Sequence, residues 1–175
     1  MSVAYGVNTT IVDAGTTKSE NASTGGRMYV WSDTIAAGTG DIGASDVIHM
    51  AELPSNCKVH SIKIYNDDID TGTTNTCDVG VYNGNTKFTI GGTETAAEAA
   101  IDDDCYASAI TDLRGAVLTG TEVAFEARNV NASENFMWED AGLASDPGVP
   151  LRICLTMDAA GDQAGDITVK VIYSM

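Results

Sequence analysis

The chain has 175 residues, with 25 acidic side chains against 9 basic ones and a formal charge of −16. That length suits a single domain, and 43% hydrophobic with 19% charged residues excludes wholesale disorder. The acidic balance argues against nucleic acid and against anionic membrane surfaces, because both need clustered Lys and Arg.

The N-terminal residues Met1 to Thr10 have neither a basic n-region nor an apolar h-region, so they do not read as a signal peptide. No segment approaches the roughly 18 consecutive apolar residues of a membrane span. A soluble protein made in the cytosol is the expectation. Cys57, Cys77, Cys105 and Cys154 show no CxxC and no zinc-like pairing with His49 or His60. Buried thiols, packed as small apolar side chains, are expected.

Residues 1–26 are rich in Thr, Ser, Gly and Asn and read as an extended arm. Tyr5, Val7, Ile11 and Val12 give it some apolar grip, which would serve for ordering against a neighbouring subunit. After Gly26 the pattern changes to short strands. Arg27–Ile35 carries Tyr29, Val30, Trp31 and Ile35, all strand formers. Asp46–Leu53 is a second strand, stopped by Pro54. In Cys57–Tyr65 both alternating faces are mixed, so period two supports a strand without choosing its core side.

The polar turn 66–75 leads to a strand at Thr76–Tyr82. Asn83-Gly84-Asn85 is a tight-turn signal towards Lys87–Ile90, which predicts a three-stranded meander. Thr95–Ile101 is the best helical candidate, though only about two turns long. Asp102–Asp104 and Cys105–Gly115 read as an irregular surface excursion. Glu122–Ala127 reads as a strand, and Asn135–Leu143 as a helical turn or a strand. Leu151–Met157 and Ile167–Tyr173 alternate cleanly and predict a closing hairpin. About eight strands with little helix make the class all-β, a sandwich or a barrel.

Gly38-Thr39-Gly40-Asp41-Ile42-Gly43 matches the dinucleotide fingerprint GxGxxG, but the required helix is replaced by strand character and Asp41 would repel phosphate. Asp67, Asp68 and Asp70 invite a calcium reading. The register fails an EF-hand, since Ile69 falls where a ligand is needed, so these are weak calcium candidates and read first as solvated loop acids. Asp102–Asp104 have no better spacing. Nothing supports nucleophilic catalysis: there is no GxSxG elbow, and His49 and His60 sit in strand patterns beside apolar neighbours. A sugar-binding platform would need spare aromatics, and most here lie in core-like patterns.

The order of segments resembles small virion proteins of tailed bacteriophages, in particular capsid decoration (cement) proteins. The matching pieces are Asp46-Val47-Ile48-His49-Met50-Ala51-Glu52-Leu53-Pro54, then Lys58-Val59-His60-Ser61-Ile62. The turn Asp67–Gly72 leads into Cys77-Asp78-Val79-Gly80-Val81-Tyr82, and Met137–Leu143, Asp146-Pro147-Gly148 and the end at Tyr173 follow. The resemblance spans about residues 46–175 and contains no catalytic signature.

It implies a jelly-roll-like antiparallel β-sandwich over residues 27–175, behind the extended N-terminal arm of residues 1–26. Such a protein sits on the outer surface of a capsid, often as a homotrimer. There it clamps neighbouring subunits of the major capsid protein, with Tyr5, Val7, Ile11 and Val12 as the candidate capsid or subunit contacts. No cofactor, nucleic acid or membrane enters this role, and no enzyme activity is expected. The alternative from another class is a receptor- or glycan-binding module of a tail or head fibre. Copy number separates the two, because a cement protein is abundant and a receptor binder scarce.

Overall fold

The computed structural model describes residues 27–84 and 100–175. Eight strands are present: β1 (Met28–Ala37), β2 (Val47–Leu53), β3 (Lys58–Asn66), β4 (Cys77–Asn83), β5 (Ala100–Ile110), β6 (Val117–Glu122), β7 (Leu151–Met157) and β8 (Gly165–Ser174). They form two four-stranded sheets, sheet A in the order β1-β8-β3-β6 and sheet B in the order β2-β7-β4-β5.

The pairs β1·β8, β2·β7, β3·β6 and β4·β5 are all antiparallel. Such nesting describes one long hairpin with its tip between β4 and β5. Rolling that hairpin up also brings β3 to β8 and β4 to β7. The result is the jelly roll, a two-sheet sandwich of eight strands, as the sequence reading expected.

Several local expectations are corrected. β7 and β8 do not pair as a hairpin; β7 lies in sheet B and β8 in sheet A. β3 and β4 are likewise split between the sheets, so no meander joins them, and the predicted strand at 87–90 lies outside the described residues. Period two identifies a strand and its faces but carries nothing about its partner. The helix expected over Thr95–Ile101 falls partly outside the described residues, and its last two residues, Ala100 and Ile101, open β5. The expected surface excursion is in large part β5, held by pairing to β4. The strand expected at 122–127 lies earlier, at Val117–Glu122.

The core fills the space between the sheets. Val59, Ile62, Ile64, Ile167, Val169 and Val171 enter it from sheet A, and Ile48, Leu53, Val79, Val81, Ile153, Leu155 and Met157 from sheet B. Each such side chain contributes on the order of 1.5–3 kcal/mol by leaving water.

The mixed faces of β3 have a definite cause. Its register on β8 shifts between Val59 and Ser61, so one extra residue changes which parity faces inward. Val59 is inward before the bulge, and Ile62 and Ile64 are inward after it. Gly80 in β4 is required for another reason. A Cβ there would stand 2.2 Å from the Asp102 carbonyl oxygen, because β5 crosses over it at a register shift between Val79 and Val81.

The long connection from β6 to β7 carries a 3₁₀ turn at Val130–Glu134 and a short helix, α1, at Met137–Asp140. One buried guanidinium anchors it. Arg128 donates from Nε to the Ala124 carbonyl at 2.7 Å and from Nη2 to the Val59 carbonyl at 2.7 Å. It also pairs with Asp140, and its guanidinium lies 4.7 Å from the ring centroids of both Tyr106 and Phe125. Burial pushes the Asp140 carboxyl up, and Arg128 partly offsets the rise.

Candidate functional site

The first site residues expected from the sequence, Tyr5, Val7, Ile11 and Val12, lie outside the described residues. The chain leading out of them enters β1 at Met28, which pairs with Ser174 of β8. The first described residues therefore lie at the same end of the sandwich as the end of β8.

Asp67, Asp68 and Asp70 take three different environments. Asp67 accepts the Asp166 amide at 3.0 Å. Asp70 is buried and accepts the amides of Gly72 (3.1 Å) and Asn75 (3.3 Å). Asp68 is exposed. Two of the three carboxylates thus serve as turn caps. Among the described residues, the acids whose ligand atoms lie within 4.8 Å of one another are Asp102, Asp103 and Asp104.

The GxGxxG stretch is the loop between β1 and β2, and its amides are already taken by carboxylates. Asp41 accepts the Gly38 amide at 2.8 Å and Asp46 the Gly43 amide at 2.6 Å. A phosphate there would meet two acids in place of free N–H groups.

His60 lies on β3, with Nε2 2.8 Å from Ser174 Oγ. Burial holds its imidazole below the usual range, with Glu134 opposing the shift and Lys58 and Arg128 adding to it. His49 lies on the outer side of sheet B, its Nδ1 3.4 Å from Cys154 Sγ and 3.5 Å from Arg152 Nη1. Arg152 also binds Glu52 at 2.9 Å, and Tyr82 OH meets Thr156 Oγ1 at 2.7 Å. These groups tie β2, β4 and β7 together across the sheet.

No disulfide joins the described cysteines. Burial pushes the Cys57 thiol up to about 12 and raises Cys77 and Cys105 as well, which makes them packing side chains and poor nucleophiles.

Trp31 shows what sequence reasoning missed. It is exposed rather than core-like, and its indole Nε1 donates to the Met50 carbonyl of the other sheet at 2.9 Å. Beside it, Val30 is 60% and Met28 49% exposed. Val30 pairs with Ile172, and one step inward along the sheet Ser32 pairs with Lys170, which in turn faces Lys63. The outside of sheet A therefore carries an apolar margin beside two adjacent lysines. The alternation of Thr168, Lys170 and Ile172 against Ile167, Val169 and Val171 signalled one outward row. The pairing that sets Lys63 beside Lys170 has no local signal.

No family model matches the chain, and no curated protein matches it. Solved structures do. A chain of the cyanophage Pam1 capsid asymmetric unit superposes with a TM-score of 0.51 at 21% identity, over 86% of both chains. A chain of the capsid of Ralstonia phage GP4 superposes with a TM-score of 0.56 at 16% identity, over 84% of both chains. At these identities the likeness is one of fold, and it spans most of each chain.

Proposed function

We propose that this chain is a structural protein of a phage virion, bound to the outer surface of the capsid, where it bridges neighbouring major-capsid subunits and stabilises the shell. The observation that carries the reading is the jelly roll, shared over most of its length with chains from two phage capsids. The physical route is burial of surface between subunits, which stabilises whatever assembly the protein binds. The sandwich of residues 27–175 is the body. The preceding residues 1–26, with Tyr5, Val7, Ile11 and Val12, form the arm that grips a neighbouring subunit, and the assembled unit is a homotrimer. The role calls for no catalysis and no cofactor.

Quantitative mass spectrometry of purified virions against the major capsid protein tests this. A copy number near a simple fraction of the capsid subunits is the expected result. A few copies per particle would move the protein to a tail or a single vertex and make recognition of a host surface the better reading. Absence from virions would overturn a structural role altogether.

A further inference from the structure

Two small charge clusters of opposite sign lie on different sheets, and neither takes part in the ion pairs of the described residues. On the outside of sheet A, Lys63 and Lys170 stand directly opposite each other across β3 and β8. Like charges in opposed positions destabilise a sheet. In a chain with 25 acids and 9 bases, a nearby carboxylate is the obvious remedy, yet the described ion pairs engage Lys58, Arg128 and Arg152 and neither of these two lysines. Glu122 faces Lys63 in register, but its carboxylate is turned to Ser61 Oγ, the Ile62 amide (2.9 Å) and the Ala124 amide (3.1 Å). The adjoining row of Val30 and Ile172 is apolar, and Val30 is largely exposed.

On sheet B the excess is acidic. Asp102, Asp103 and Asp104 gather where β5 arches over Gly80, with Asp103 and Asp104 exposed. Asp78 on neighbouring β4 feels the same field: burial raises its carboxyl first, and Asp158, Asp103 and Asp104 raise it further.

We propose that the outer face of sheet A, centred on Lys63 and Lys170 with Val30 at its margin, seats the acidic β5 edge of a second copy of this chain. Both halves of the complementary pair are present on one molecule, so the partner that fits is another copy. Two different surfaces meet, so the contact is head to tail and generates a closed ring when the rotation per copy closes. This deepens the trimer of the proposed function and rests on that reading for its copy count.

The test is a charge swap in the full chain, read by light scattering coupled to size exclusion across a micromolar concentration series. The wild type is expected to self-associate, and less so as salt rises. K63E/K170E and D103K/D104K should each weaken association by about tenfold or more, and the four changes combined should restore it. Melting temperatures near wild type would show that each variant stays folded. A wild type of single-copy mass throughout overturns the inference, as does full association by K63E/K170E or failure of the combined variant to recover. The virion copy number is a separate readout: abundant protein in virions with single-copy mass in solution would defeat this contact and leave the capsid reading standing.

Discussion

Arg128 reaches Ala124, Val59 and Asp140 from one guanidinium while two aromatic rings flank it. Its loss would strip the buried Asp140 carboxylate of its counter-charge and two carbonyls of a donor. Arg128→Ala is expected to cost about 3–5 kcal/mol of unfolding free energy, measurable by urea titration. Tyr106→Phe removes only the 3.3 Å bond to Asp140 and should cost about 1 kcal/mol.

His60 adds a pH effect of definite sign. Its folded pKa is depressed by burial, so the unfolded chain binds the proton more readily. The stability it contributes is present above the unfolded value of about 6.5 and is lost as pH falls through the folded one. His60→Gln should flatten the fall in melting temperature as the pH drops below about 6.5. Asp67 and Asp70 already accept backbone N–H groups, so millimolar calcium or EDTA should leave the wild-type melting temperature unmoved.

Bulges decided most of what the elements do. Met50 falls at the register shift between His49 and Ala51 in β2. Its carbonyl takes the Trp31 indole and fastens edge strand β1 to the opposite sheet. Trp31→Phe keeps the ring and loses that bond, at an expected cost of about 1 kcal/mol by chemical denaturation.

The same devices explain which parts of the fold the sequence made legible. Leu151–Met157 was read with its observed bounds because no bulge interrupts its alternation, and Leu151, Ile153, Leu155 and Met157 all face the core. β3 was recognised as a strand but not oriented, because the shift at Val59 to Ser61 puts inward residues on both parities. β5 was missed where two steps along β4, from Val79 to Val81, span five along its partner, from Ala107 to Asp102. Such a strand has no period to find, and its run of three aspartates has low strand propensity. The lysine pair on sheet A was out of reach for a different reason: Lys63 and Lys170 are 107 positions apart in the chain (170 − 63) and meet only through β3·β8 pairing.

At the scale of the whole molecule, the two sheets are joined into one core among the described residues. β1 pairs along its full ten residues with β8, with no register shift, and the buried core of the described residues lies in the two sheets and their connections. If the proposed capsid role holds, deleting residues 1–26 should leave the melting temperature of the body close to wild type, since β1 is held by β8, while lowering capsid occupancy, measured by rebinding to stripped shells. Unchanged occupancy would remove the arm from the contact.

The nested pairing also sets how the chain comes to be folded. β8 lies between β1 and β3, and β7 between β2 and β4, so one of the two central strands in each sheet is made after both of its neighbours. As the chain leaves the ribosome, β3 and β4 can pair with β6 and β5, but β1 and β2 have no partner strand until β7 and β8 emerge. Contacts of such long sequence separation make for slow folding and a long exposure to aggregation. A product cut short before Gly165 would lose the strand that joins β1 to β3, leaving sheet A in two pieces. Such a product would keep the four strands of sheet B but bare the core that β8 covers in the full chain, and proteases should cut it faster than the full chain.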